Sequence, residues 1–276
     1  MQKRIAMLYD FDYTLAHGFM QQFGLMQEFG YDDVIKFFQA NDAIFDNPDL
    51  DMCLSLLGGV LHNAKQRGIS VTKEFLQSHG KNVEYYPGVV DEWFEKINAL
   101  GAKYGFEIEH YVVSSGLKEI VEGSAIYKYL KRVYASSYCY DEKGEAIWPC
   151  QIVNYTSKTQ YIYRVRKNAL DDLGSLSQVN AKLKDEEQLS FKKILYFGDS
   201  QTDIPSFKVV KNNGGLSICV FDENNPESRQ VALKCYDEGR VNFFVPADYR
   251  EGSELYNLVS TYIENVMKEQ ISRENE

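Results

Sequence analysis

An apolar run, Ile5-Ala6-Met7-Leu8-Tyr9, breaks off into Asp10-Phe11-Asp12-Tyr13-Thr14, which sets two carboxylates one residue apart at the end of what reads as a buried strand. In a doubly wound α/β sheet, ligands bind beyond the carboxyl ends of the strands. Two acids at such a place repel each other, and burial raises the cost of ionising both. A bound divalent cation removes that penalty. One carboxylate is then positioned to act as a nucleophile while its neighbour manages protons.

Three later segments fit the same chemistry. The run Ile108-Glu109-His110-Tyr111-Val112-Val113 reads as a second strand and ends in Ser114-Ser115-Gly116. Lys158 stands at the expected start of a helix, after Asn154-Tyr155-Thr156-Ser157. A third strand, Lys193-Ile194-Leu195-Tyr196-Phe197, ends in Gly198-Asp199-Ser200-Gln201-Thr202-Asp203. A nucleophilic acid, a hydroxyl, a lysine and an acidic metal site, in that order over residues 10 to 203, resemble the haloacid dehalogenase-like superfamily, and in particular its phosphoserine phosphatase-like members.

The resemblance implies roles residue by residue. Asp10 would be the nucleophile and give one oxygen to Mg2+. Asp12 would be the general acid and base, its backbone carbonyl, not its side chain, reaching the metal. An acid at position 12 marks the phosphatase and phosphomutase branches, since the dehalogenases lack it. Ser114 would hydrogen-bond a phosphoryl oxygen, although Ser115 stands where the family often has glycine. Lys158 would neutralise charge on the phosphoryl group. Asp199 would be the second carboxylate ligand of Mg2+, an ion that takes oxygen donors and keeps several waters. Asp203 either supports the metal shell or holds Lys158, and Thr14 buttresses the first motif or simply shapes its turn. His17, close to that motif, would touch the substrate or lie in a hinge. His62, His79 and His110 have no metal-ligand spacing.

Spacing sets the architecture. A strand-helix-strand crossover takes about 30 residues, and residues 88–113 supply one: Val89, Val90, Trp93, Phe94, Ile97 and Leu100 recur at helical period after Pro87-Gly88. Residues 16–86 are surplus to it and too many for a loop. They read as helical: Phe19, Phe23, Met26 and Phe29 on one face, then Val34, Phe37 and Phe38, then Met52 to Leu61 ending at Gly68, then Glu74 to Leu76. The expected fold is α/β, a Rossmann-like doubly wound parallel core (residues 1–15 and 87–276) carrying an inserted helical cap (16–86) that resembles the C1 type. A hairpin is expected around Asp141-Glu142-Lys143-Gly144, with a solvated polar insertion at 171–190. Further strands are expected at 216–221 and 241–245, with a helix opening at Pro226 between them. A C-terminal helix bearing Leu255, Leu258, Val259, Tyr262, Ile263 and Val266 should pack on the sheet.

Charge and cysteine usage narrow the partners. A net charge of −10 disfavours nucleic acid and anionic membranes, both of which need a basic surface. The 5 cysteines lack C-x-x-C spacing, so free thiols in a reducing cytoplasm are expected. Asp10 and Asp12 interrupt the only N-terminal apolar run, which speaks against a signal peptide, and no run approaches a membrane span. The expected function is a Mg2+-dependent phosphomonoesterase acting on a small phosphorylated metabolite through an aspartyl-phosphate. Alternatives are a sugar phosphomutase using the same intermediate, which fits less well because many such proteins carry glycine where Thr14 stands, and a non-catalytic binding or regulatory protein. Oligomeric state is not legible.

Overall fold

Residues 3–275 are described by the computed structural model. Among them, one sheet holds β1 (Arg4–Tyr9), β2 (Glu107–Leu117), β3 (Leu130–Tyr140), β4 (Ala146–Gln151), β5 (Ile194–Gly198), β6 (Leu216–Phe221) and β7 (Phe243–Pro246). The strand order is β4-β3-β2-β1-β5-β6-β7. Neighbours run parallel except β3 and β4, which form the hairpin expected from the polar turn. The chain builds outward from β1 in one direction through β2 and β3, then returns to β1's other side with β5. The topological switch point therefore lies between β1 and β5, and a crevice opens there at the strands' carboxyl ends.

Alternation along β1 makes a three-layer molecule. Ile5, Met7 and Tyr9 join one apolar cluster with Ile97 of α5 (Phe94–Lys103) and with Leu255, Val259 and Ile263 of the C-terminal helix (Glu254–Glu274). Ala6 and Leu8 join the other. That second face receives Ile162 and Val165 from residues Lys158–Arg166, Phe207 from Ile204–Asn212 and Ala232 from Pro226–Asp237. Successive strand residues point to opposite faces, so each strand feeds both layers. Burying each such aliphatic side chain contributes about 1.5–3 kcal/mol.

Between β1 and β2 lie α1 (Leu25–Glu28), α2 (Val34–Phe45), α3 (Met52–Arg67) and α4 (Lys73–Gly80). Their ends follow local chemistry. Asp51 accepts the Cys53 and Leu54 N–H groups at the start of α3, Gly68 ends it at φ +66°, and the Thr72 hydroxyl accepts the Phe75 N–H to start α4. The two connections to the sheet run side by side: the His17 N–H donates to the Glu84 carbonyl (2.9 Å) and the Tyr86 N–H to the Leu15 carbonyl (3.1 Å). On the far side the Tyr138 hydroxyl donates to the Leu57 carbonyl (2.8 Å), and the Ala146 N–H donates to the Val71 carbonyl (2.8 Å). These bonds tie the helical segment to the β3–β4 hairpin.

Several local expectations need correction. The face Phe19–Phe23–Met26–Phe29 is not one helix: a 3-10 turn at Met20–Gln22 and the short α1 are separated by Gly24 at φ +126°. Ser114, Ser115 and Gly116 lie within β2, which runs on to Leu117 before α6 (Lys118–Glu122). The helix after Gly88 opens with a π-turn, Val89–Trp93, before α5. The last strand begins at Phe243, two residues later than its apolar pattern suggests. Residues 171–190 are polar but anchored. The fully buried Arg164 guanidinium donates to the Leu173 (3.0 Å) and Ser175 (3.1 Å) carbonyls, and Lys167 Nζ to those of Val179 (2.7 Å) and Ala181 (2.8 Å). No helix among the described residues is long and apolar enough to cross a membrane.

Behind β1 runs a buried polar chain with one sense. Trp93 Nε1–H donates to Tyr9 Oη (2.9 Å), the Tyr9 O–H donates to His110 Nδ1 (3.0 Å), and His110 Nε2–H donates to Asn98 Oδ1 (3.0 Å). Because an amide oxygen only accepts, the bond to Asn98 Oδ1 places the proton on His110 Nε2 and leaves Nδ1 to accept from Tyr9. Burial pushes the His110 pKa down to about 3. Between that value and the unfolded value of about 6.5, only the unfolded chain binds the proton, so the native state loses roughly 1.4 kcal/mol per pH unit as pH falls. His110→Gln should flatten this part of the stability profile by about 1 kcal/mol per pH unit, read by urea unfolding at pH 7.5, 6.5 and 5.5. Identical slopes in the two proteins would contradict the assignment.

Candidate active site

The last residue of β1 pairs with Val112 of β2 on one side and Phe197 of β5 on the other, so Asp10 emerges at the switch point. Its N–H still donates to the Phe197 carbonyl (2.9 Å). The chain then turns sharply: the N–H groups of Leu15 (3.0 Å) and Ala16 (2.9 Å) both reach the Phe11 carbonyl, and Tyr13 sits at φ +53°. The Tyr249 hydroxyl donates to the Thr14 carbonyl (2.7 Å) and pins the turn from the C-terminal side. Asp10 and Asp12 thereby project near the same crevice.

Lys158, the first residue of α7 (Lys158–Arg166), is fully buried. Its ammonium lies 2.7 Å from Asp10 Oδ2 and 2.8 Å from Asp203 Oδ1. Asp203 is also fully buried and accepts from the Tyr196 hydroxyl (2.8 Å) through the same Oδ1, while Oδ2 takes the N–H groups of Asp199 (3.3 Å) and Ser200 (3.4 Å). Gly198 is what lets Asp203 fold back this far, since a Cβ there would run into the Asp203 carboxyl group. Burial alone would push the Lys158 ammonium down, but Asp10 and Asp203 hold it well above the ordinary lysine value.

The remaining acids are under strain of charge. Ligand oxygens of Asp10, Asp199 and Asp203 lie within 4.8 Å of one another. Burial pushes Asp199 well above the usual carboxylate range, Asp203 and Asp10 push it further, and Lys158 opposes them. No ion pair reaches Asp199 among the described residues; its contact is the Thr14 hydroxyl at 3.5 Å. Burial also raises Asp10, against the pull of Lys158 and with Asp203 adding to it. Three carboxyl groups share one ammonium, so ionising all of them would leave two uncompensated negative charges; the upward shift of Asp199 marks that conflict, which a divalent cation held by oxygen donors would relieve. Asp203, with both oxygens already bonded, is the least available of the three.

Asp12 faces elsewhere. Its Oδ1 accepts the Met20 N–H (2.8 Å), and burial followed by the Asp10 charge pushes its pKa up to about 8, against the Met20 bond and Lys158. Gly116 lies against it, because a side chain at that position would meet Met20 and Asp12. Ser114 is buried on β2, two residues beyond the Val112 that pairs with the end of β1, and its Oγ accepts the Gly116 N–H (3.1 Å). Ser115 is the partly exposed one of the pair and lines a cavity with Asp12. His17 Nε2 lies 2.9 Å from Asp222 Oδ2 on the connection between sheet and helices, the hinge-like of its two expected positions. Tyr196 was not anticipated: an apolar strand pattern conceals a hydroxyl bonded to Asp203.

No family model matches the chain. An uncharacterized protein of Borreliella burgdorferi is 25% identical over 92% of this chain and 95% of its own length. Among solved structures, a substrate-bound phosphoserine phosphatase complex aligns with TM-score 0.56 at 15% identity, covering 95% of this chain and 99% of that one. A haloacid dehalogenase family hydrolase from Salmonella enterica serovar Typhi aligns with TM-score 0.52 at 14% identity. That alignment covers 83% of this chain, which spans 65% of the Salmonella protein's length. The fold is that of these hydrolases.

If the acidic cluster is a cation site, relieving its charge has two separable effects. Asp199→Asn should raise the stability of metal-free protein by about 1–3 kcal/mol, because a partly buried carboxyl group crowded by two other acids loses its charge. Saturating MgCl2 should raise the wild-type melting temperature by about 5–11 °C, from about 2.7 kcal/mol of linkage at a hundredfold excess over Kd and about 2–4 °C per kcal/mol. The variant should show little of that rise. Scanning fluorimetry of both proteins with MgCl2 or EDTA checks it, and an equal Mg2+ response in both would remove Asp199 as a ligand.

Proposed function

We propose that this chain, built on the haloacid dehalogenase-like fold, is a metal-dependent phosphomonoesterase that acts on a small phosphorylated metabolite. The observation that carries the reading is the buried Asp10–Lys158–Asp203 array, with the ammonium 2.7 and 2.8 Å from the two carboxylates at the sheet's switch point. Uncatalysed phosphate-monoester hydrolysis is so slow that enzymes supply up to ~10²¹-fold acceleration. Positioning and fixed charge do most of such work.

Asp10 attacks phosphorus, the bond to the ester oxygen breaks, and an aspartyl-phosphate forms. Asp12 gives its proton to the departing oxygen, and its raised pKa of about 8 keeps that proton available at neutral pH. The same carboxylate then takes a proton from the water that attacks phosphorus, releasing phosphate and regenerating Asp10. Lys158 counters charge on the phosphoryl oxygens and keeps Asp10 ionised. Asp203 orients Lys158, a supporting role consistent with its three donors besides the lysine. Ser114, with its neighbouring backbone N–H groups, would receive a phosphoryl oxygen. Asp10, the Asp12 carbonyl and Asp199 would hold Mg2+, with Thr14 bracing Asp199. When bound, the ion would offset the phosphate's negative charge.

Residues 1–15 and 87–276 are read as the catalytic core and 16–86 as a cap. The side-by-side connections at Ala16 and Tyr85 support that division. The acidic balance of −10 supports a small-molecule substrate over nucleic acid or an anionic membrane. The five free cysteines support a reducing, cytoplasmic setting.

The test is phosphate release from p-nitrophenyl phosphate with Mg2+ or EDTA. Wild type should turn over only with metal, and Asp10→Asn should show no turnover above background. Asp12→Asn should lose about 10²- to 10⁴-fold in kcat, the usual contribution of a general acid. Equal rates for wild type and Asp10→Asn would overturn the nucleophile assignment.

A further inference from the structure

We infer that the pocket beside Asp12 selects phosphate esters whose leaving alcohol carries an ammonium group and no carboxylate. The inference rests on the phosphomonoesterase reading and names the class of substrate for that site. A cavity of about 240 Å³ opens between the carboxyl ends of β1 and β2, at Asp12 and Ser115, and the inserted helices. Small-molecule sites usually run to about 300–1,000 Å³, so this one suits a short alcohol.

The lining has one electrostatic sense. Phe19, Phe38 and Leu56 supply apolar wall, and among the described residues no lysine, arginine or histidine lines the cavity. The Phe19 and Phe38 rings meet edge to face with centroids 5.1 Å apart. The polar groups on the insertion's side include Gln21, Asp42 and Ser55. The Ser55 hydroxyl donates to Asp42 Oδ1 at 2.5 Å, so its proton is spent on the carboxylate. Gln21 is 1% exposed, and no hydrogen-bond donor among the described residues reaches its side-chain oxygen. Leaving a buried acceptor unpaired costs about 1–3 kcal/mol, and a substrate N–H would recover it.

A carboxylate, an orphan carbonyl oxygen and aromatic rings all favour a cation that donates hydrogen bonds. A substrate carboxylate would lie against the Asp42 carboxylate with no basic side chain in the lining to pair with it, which selects against it. The ammonium ester is favoured by attraction and the amino-acid ester is rejected by repulsion.

The experiment is steady-state hydrolysis of three probes in Mg2+: phosphoethanolamine, phosphoserine, which is the same molecule with an added carboxylate, and ethyl phosphate, which lacks the ammonium. p-Nitrophenyl phosphate serves as the reference. Wild type should show kcat/KM for phosphoethanolamine at least about tenfold above either of the others, a factor equal to about 1.4 kcal/mol. Asp42→Lys should lower the phosphoethanolamine-to-phosphoserine ratio by about tenfold or more. Because the readout is a ratio within one protein, partial loss of folded enzyme does not move it. Gln21→Leu and Asp42→Asn give the same ratio test if the lysine variant does not fold. Phosphoserine turned over as well as phosphoethanolamine, or a ratio unmoved by these substitutions, overturns the inference while aryl phosphate turnover leaves the phosphatase reading standing. No turnover of any ester, aryl phosphate included, overturns both.

Discussion

The site depends on one buried ammonium. Taking a lysine and two aspartates out of water costs several kcal/mol per ion, and removing one partner of such an array costs about 3–5 kcal/mol because a charge is left alone. Lys158, Asp10 and Asp203 come from three separate elements: the start of α7, the end of β1, and the turn after β5. Their mutual attraction therefore fixes how the loops after β1 and β5 close around the switch point. Tyr196 and the N–H groups of Asp199 and Ser200 complete the arrangement by satisfying Asp203. Asp199 is left without such compensation, and that residual negative charge is what a metal would neutralise.

Asp10 and Asp12 are two residues apart, yet they meet different surroundings. Asp10 faces Lys158 across the crevice, whereas Asp12 takes a backbone N–H from the inserted segment at Met20. A carboxylate paired with an ammonium tends to stay ionised, and one buried beside another acid tends to keep its proton. The turn after β1 thus gives two neighbouring carboxyl groups different environments, the separation that the proposed nucleophile and proton donor would need. It also makes the acid's position depend on the helical insertion, since Met20 belongs to that insertion. Any shift of those helices relative to the sheet would be felt first at Asp12 and not at Asp10.

Much of this was legible from sequence, and the limits have physical causes. Strands β1, β5 and β6 were clear because they are fully buried and therefore continuously apolar, and the acids at their ends interrupt that pattern. The Ser-Ser-Gly segment looked like a turn but lies in β2, because residue type alone does not reveal a neighbouring strand, here β3, with which the backbone pairs. Gly24 broke a helix whose hydrophobic spacing was sound, since periodicity records which face is buried and not whether the backbone continues. Arg164 was indistinguishable from the surface basic residues around it. Its burial depends on a loop that folds back to present carbonyl oxygens. Asp203 had two readings open, and only its distance to Lys158, 45 positions earlier, separates them.

The pocket was the least legible part. Its lining gathers the turn before α1, a residue pair on α2, the first turns of α3 and the end of β2, and no spacing rule links those segments. Its polarity can be argued only once they converge, because a surface aspartate such as Asp42 acquires meaning from what is missing around it. The Asp10–Lys158–Asp203 array presents positive charge through Lys158. The adjoining pocket supplies none. A substrate spanning both would place its phosphate toward the ammonium and the remainder of the molecule among acceptors and rings. In the proposed reaction, this division of charge along a single crevice would orient the ester with its leaving oxygen toward Asp12, the group proposed to protonate it.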